Sequence, residues 1–186
     1  MVEKDPNYSF VTARLLLDNI RAEALNFLTV APSATQADMQ HLYGKALAAY
    51  IEKGIEFELL APELAQFDLQ KLGQALDASR DLQFTYLGLQ TLYDRYFIHK
   101  DEVRIELPQV FFMRVAMGLA MQEDDKNARA IEFYNLLSSF DYMSSTPTLF
   151  NAGTLRPQLS SCYLTTVPDN LDGIYNAIHD NAMLSK

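Results

Sequence analysis

SSTPTLFNAGTLRPQLSSCYLTTVPDN, residues 144–170, differs in character from everything before it. Prolines at 147, 157 and 168 and a glycine at 153 punctuate it, and Pro and Gly mark turns. Between them, Thr148–Phe150 and Ser160–Val167 are rich in β-branched and aromatic residues and read as two strands. Asp169 or Asn170 then caps a helix running toward Lys186. Two strands alone do not make a stable sheet. Residues 144–186 therefore read as the start of a second, α/β unit, incomplete as it stands.

Upstream, residues 1–143 read as helix after helix, so the fold class is mainly α. Asp5-Pro6 is a start signal. Phe10, Ala13, Leu17, Ile20, Ala24 and Phe27 follow at three- and four-residue steps, one face of a helix that Pro32 ends. Ser33 with Gln36 has the pattern of a capping box and opens a helix through Met39, Leu42, Ala46 and Ala49 to Gly54. Pro62–Ala65 and Phe67–Leu76 read as short helical pieces. Asp77 or Ser79 caps a helix through Phe84, Leu87, Tyr93 and Phe97. Ile98–Glu106 alternates around Val103 and Ile105 and predicts a short hairpin. Leu107-Pro108 opens a strongly apolar helix with Phe111, Phe112, Val115 and Leu119 on its buried side. The polar run 123–127 is a loop, and Ala128–Phe140 one more amphipathic helix.

The composition fits a folded chain. Of 186 residues 49% are hydrophobic and 21% charged, and the net charge is −9. An acidic surface repels phosphate backbones, which argues against bulk nucleic-acid binding but leaves room for a small nucleotide in a specific pocket. No apolar stretch approaches the roughly 20 residues that span a bilayer, and the N-terminus has no signal-peptide core. A single cysteine, Cys162, rules out an internal disulfide framework and predicts a reducing, cytoplasmic setting.

Few residues carry chemistry on their own. Cys162 in Ser160-Ser161-Cys162-Tyr163-Leu164 is either a small buried hydrophobe, as most free cysteines are, or a redox thiol whose partner lies outside these residues. Pro147–Gly153 places hydroxyl and small residues beside a turn; such a loop can hold a phosphate, though most are only turns. Asp169-Asn170-Leu171 reads first as a helix cap. His41, His99 and His179 are dispersed without metal-ligand spacing, His179-Asp180 reads as a solvated face, and Glu123-Asp124-Asp125 lacks a calcium-loop pattern.

Taken together, "STPTLFNAGT", "LSSCYL" and the Asp169-Asn170-Leu171 that follows resemble the start of the catalytic barrel in class I ribonucleotide reductase large (alpha) subunits. "DPNYSFVTARLLLDN", "SRDLQFTYLGLQTLYDRYF" and "ELPQVFFMRVAMGLA" are similar, in order and spacing, to that family's helical N-terminal domain. The resemblance covers essentially the whole chain. It implies an all-helical domain over 1–143 and, over 144–186, the first strands and helix of a ten-stranded α/β barrel.

The resemblance also implies roles. Cys162 matches a barrel cysteine that reduces the substrate and ends turnover in a disulfide with a downstream partner. Thr148 and Ser161 match substrate-contacting positions, and Cys162 lines the same pocket. Asp169, Asn170 and Leu171 match a segment binding a deoxynucleotide effector near the interface of a homodimer of large subunits. The implied substrate is a ribonucleoside diphosphate, reduced to its 2′-deoxy form. The implied helpers are a metal-containing small subunit that supplies a radical, thioredoxin or glutaredoxin as reductant, and ATP or deoxynucleotide effectors. No metal or cofactor is expected on this segment. The ATP-binding regulatory domain that often precedes the helical domain is not encoded in these residues, nor are the radical cysteine and the partner cysteine, so these 186 residues alone are expected not to turn over. Two other readings remain open: a cobalamin-dependent reductase, which shares parts of the barrel motif, and a helical protein-interaction module, which leaves the 144–170 motif unexplained.

Overall fold

A computed structural model describes residues 5–185. Among these residues the helices are α1 (Tyr8–Phe27), α2 (Met39–Glu56), α3 (Leu69–Gln74), α4 (Tyr86–Arg95), α5 (Pro108–Ala120), α6 (Lys126–Ser138), α7 (Thr146–Asn151) and α8 (Leu171–Leu184). Two 3₁₀ turns, Pro62–Gln66 and Ala78–Gln83, and a hairpin of β1 (His99–Lys100) and β2 (Val103–Arg104) join them. The hairpin is antiparallel with His99 opposite Arg104, as the alternation around Val103 and Ile105 predicts.

The apolar run after Leu107 becomes the centre of the molecule. Pro108 sits in the first turn of α5, and every residue from Pro108 to Met117 is buried. A helix buried on all sides needs neighbours on all sides: α6 packs along it, and α2, α7 and the 78–83 turn complete the shell. Elsewhere α1 packs on α4 and α2 on α3.

Three helix boundaries differ from the sequence reading, each for a local reason. α1 stops at Phe27, ahead of Pro32: Thr29 adopts a left-handed φ of 61°, and Lys53 Nζ donates to the Phe27 carbonyl at 2.6 Å and the Thr29 hydroxyl at 3.0 Å. Charge at a helix C-terminus of this kind offsets the dipole and its orphan carbonyls. α2 opens at Met39, not at Ser33, because Asp38 accepts from the Thr35 N–H at 2.8 Å and hydroxyl at 2.7 Å. The helix expected over 77–97 is broken in two. Asp77 caps the first piece, Thr85 caps α4, and the extended Phe84 between them turns its ring into the core, 5.3 Å from the ring of Phe140.

A polar cluster lies inside this core. Asp81 accepts from Tyr43 at 2.7 Å, Gln109 Nε2 at 2.8 Å and Arg21 Nη2 at 3.2 Å. Tyr134 donates to Gln109 Oε1 at 2.8 Å and accepts from the Asp77 N–H at 3.0 Å, so the cluster links α1, α2, α5, α6 and the 78–83 turn. Burial pushes the Asp81 carboxyl above its ordinary range, against the pull of Gln109, Tyr43 and Arg21. It pushes the Tyr43 phenol well up, helped by the charge of Asp81.

The two strands expected at Thr148–Phe150 and Ser160–Val167 are not formed. The first lies inside α7. The second has no ladder partner among the described residues, and a lone strand has nothing to satisfy its backbone groups except water. Asn170 caps α8, its side chain accepting from the Gly173 N–H at 2.7 Å. Ala177 is the buried residue of that helix, and Leu171, Ile174, Tyr175 and Ile178 are exposed.

Candidate active-site segment

Thr148 stands on α7, and α7 is fixed from below by one buried arginine. Pro147 lies in the first turn, where its missing N–H costs nothing. At the other end Arg114 Nη1 donates to the carbonyls of Leu149 at 3.0 Å, Phe150 at 3.3 Å and Ala152 at 2.9 Å. These oxygens would otherwise be the orphan acceptors of a helix end. The rest of the guanidinium forks onto Glu106, Nε to Oε1 at 2.9 Å and Nη2 to Oε2 at 3.2 Å. Tyr50 donates to Glu106 Oε1 at 2.6 Å and the Ile98 N–H to Oε2 at 2.8 Å.

Both partners of this ion pair are fully buried. A buried pair is tolerable only when its remaining donors and acceptors are met, and here they are. Burial works to lower Arg114, but the charge of Glu106, with Tyr50, outweighs it and holds the guanidinium above its ordinary value. Burial, then the Glu106 charge, raises the Tyr50 phenol well above its usual range.

The segment after α7 lies against α5 at close quarters. Gly153 takes a left-handed φ of 78° and a Cβ on Gly118 would stand 2.6 Å from the Ala152 carbonyl carbon. The Gly153 carbonyl accepts from the Ala61 N–H at 3.0 Å. Gly118→Ala is expected to force these backbones apart at a cost of about 3 kcal/mol, offset by about 1 kcal/mol of helix propensity. A melting temperature lower by about 4–8 °C should result; an unchanged or higher one would show that the contact yields freely.

From α7 two side chains reach forward. Thr148 Oγ1 donates to the Leu159 carbonyl at 3.3 Å, and Asn151 Nδ2 to that of Gln158 at 2.7 Å. Above them lies an open cleft of about 610 Å³ between Thr146, Pro147, Phe150, Asn151, Ser160 and Ser161. Tyr96 closes one side, stacked on Phe150 at 4.8 Å with its hydroxyl 3.1 Å from Thr146 Oγ1. Of the residues singled out in the sequence, Ser161 lines this cleft and half-buried Thr148 fastens its floor. Cys162 is the next residue along, a free and exposed thiol; it is not the buried hydrophobe of the blander reading. Asp169, Asn170 and Leu171 form a separate exposed stretch at the start of α8.

The residues that sequence reading passed over are Arg114, Glu106 and Asn151. Arg114 had left a signal: it is the sole charge in PQVFFMRVAMGLA, and a lone charge on a helix buried all round needs a partner.

Sequence comparison bears on this site. A family model described as "Ribonucleotide reductase, all-alpha domain" matches residues 82–157. A ribonucleoside-diphosphate reductase subunit alpha of Chlamydia trachomatis is 54% identical over all of this chain and 17% of its own length. The Helicobacter pylori subunit alpha is 41% identical over 97% of this chain and 21% of its own length. Along its whole length the chain is similar to part of the ribonucleotide reductase large subunits. A Danio rerio large subunit is 35% identical over 98% of the chain, so the likeness to the family extends to a vertebrate. The chain spans about a fifth of the length of the curated relatives it matches, 17–22%. The match to the family's all-alpha domain takes in Glu106, Arg114, Gly118 and α7 and ends ahead of Ser161 and Cys162; the match to the Chlamydia trachomatis relative covers these as well.

Proposed function

We propose that this chain forms part of an enzyme that reduces ribonucleoside diphosphates to 2′-deoxyribonucleoside diphosphates, with Cys162 as one of two reducing thiols. The observation that carries the reading is the 54% identity, without loss of coverage, to a subunit of that name. Residues 1–143 serve as a helical domain, and residues 144–186 begin the catalytic barrel. Thr148 and Ser161 contact the substrate beside Cys162; hydroxyl donors at such a site orient a polyanion without adding charge. Asp169, Asn170 and Leu171 take a deoxynucleotide effector. In support, the Asp169 carboxylate is exposed and free to accept from a ribose hydroxyl, as acidic residues do in other nucleotide sites.

The chemistry suits a thiol pair. The 2′-hydroxyl leaves as water and hydrogen takes its place at carbon. Two thiols supply the two electrons and two protons and close into a disulfide. The second thiol lies outside these residues, which hold one cysteine. Thioredoxin or glutaredoxin reopens the disulfide, and a metal-containing small subunit supplies the starting radical. The large subunits act as a homodimer in the cytoplasm. Among the described residues no helix is long and apolar enough to cross a membrane.

The test uses the intact gene product with its small subunit, a reductant and an effector nucleotide. Conversion of CDP to dCDP is expected. Cys162→Ser should lower turnover by more than about 100-fold, upwards of ~2.7 kcal/mol in barrier, while CDP still binds. Turnover that survives the substitution would remove Cys162 from the chemistry. No conversion by the wild type would sink the proposal as a whole.

A further inference from the structure

We propose that Arg114 is a positioning residue for the thiol of Cys162, acting through α7. The inference rests on the reading of Cys162 as a reducing thiol, and its geometry is independent of it.

The path is short and continuous. Glu106 holds Arg114 through two hydrogen bonds of 2.9 and 3.2 Å. The remaining nitrogen gathers three carbonyls, of Leu149, Phe150 and Ala152. That contact fixes α7 in height and rotation against α5. α7 in turn holds the backbone of the next segment through Thr148 on Leu159 and Asn151 on Gln158. Beyond Leu159, residues 160–168 make no backbone–backbone hydrogen bond among the described residues. The next side-chain tether is Thr165, whose hydroxyl donates to Asn181 Oδ1 at 2.9 Å. Leu159 and Thr165 each lie three residues from Cys162, and the tether at Leu159 is set through α7 by Arg114.

The residue type fits the task. A guanidinium presents donors in a rigid planar fork, so one group can face a carboxylate on one edge and carbonyls on the other. A lysine ammonium placed at the same depth is a point charge that can meet Glu106 or the carbonyls, not both sets in one plane. A reducing thiol has to sit at a fixed distance from its target carbon, and misplacement by an ångström costs about 100-fold in rate.

Two variants of the intact protein test this. Arg114→Lys keeps the charge and loses the fork. Asn151→Ala leaves the buried pair untouched and cuts the tether to Gln158, and it decides the matter alone if Arg114→Lys does not fold. Hydrogen–deuterium exchange read by mass spectrometry is the measurement that does not depend on activity. Faster exchange confined to residues 158–165 is expected in Asn151→Ala, extending back to 146 in Arg114→Lys, with α2 and the rest of α5 at wild-type rates. In the CDP assay kcat should fall by about 10- to 100-fold in both, with effector affinity unchanged. Exchange in 158–165 that stays at the wild-type rate, or that rises equally across α2 and α5, overturns the positioning role. A wild type that binds and reduces no ribonucleotide defeats the proposed function instead, and the exchange data still decide whether Arg114 governs the segment.

Discussion

Glu106→Ala is expected to remove about 3–5 kcal/mol of stability, the usual result of stripping one partner from a buried ion pair. The loss has three parts. Arg114 keeps its charge in a site with no exposure and loses the carboxylate it pairs with. Tyr50, whose hydroxyl donates to Glu106 at 2.6 Å, and the Ile98 N–H, at 2.8 Å, lose their acceptor. Each buried donor left unmet adds roughly 1–3 kcal/mol, and partial collapse around the smaller side chain takes some of this back. Against a total stability of about 5–15 kcal/mol the change is large. Glu106→Gln keeps the volume and one acceptor oxygen while its NH2 meets donors, so it should cost less than alanine but still destabilise. Urea denaturation of the two variants beside the wild type gives the comparison. A shift under about 1 kcal/mol for the alanine variant would mean that Arg114 finds other partners when Glu106 is gone.

Asp81→Ala should have a cost of similar size, about 3–5 kcal/mol, for a related reason. It takes from Arg21, which is 2% exposed, its buried carboxylate, leaving the exposed Asp18 and the Gln36 amide as partners, and it deprives Tyr43 and Gln109 of an acceptor. Its pH dependence has a distinctive sign. Burial raises the folded carboxyl above the unfolded one, so the folded state holds the proton more tightly. That contribution to stability is fully present below the unfolded value, near pH 4, and is lost as pH rises through the raised folded value. The gap between wild type and variant is thus widest in mild acid and narrows toward neutrality, opposite to a carboxylate whose folded value is depressed. Thermal melts at a series of pH values would show it; a gap that widens toward neutral pH would contradict the assignment.

Much of the helical core could be read from periodicity. The pattern through Ala13, Leu17, Ile20 and Ala24 became the buried face of α1, while Phe10 at the same spacing stayed exposed. In α2 the buried face turned slightly, to Met39, Tyr43, Ala46, Leu47 and Tyr50. Tyr43 and Tyr50 reach polar partners inside the core, and hydrophobic spacing gives no notice of such partners. The break at Phe84–Thr85 escaped notice because Asp77 and Thr85 are both good caps, and the core position of Phe84 decided between them. The strand reading of Thr148–Phe150 failed for a tertiary reason. Local composition favoured a strand, but Arg114 supplies the carbonyl partners that let a six-residue helix close. At the site, Cys162, Ser161 and Thr148 stood out through their motif, whereas Arg114 fastens carbonyls 35 to 38 positions away and leaves only the trace of a lone charge.

Cys162 is exposed and these 186 residues hold no second thiol, so apart from the proposed pairing with a thiol outside them, no disulfide made from these residues closes a loop. A bridge made from them alone joins two copies, or one copy and a small thiol. Pairing of two copies is second order in protein, slowing on dilution, and it takes no loop entropy from the unfolded chain. The folding stabilisation that a loop-closing bridge brings is therefore absent, and the rate of this reaction measures encounter between molecules.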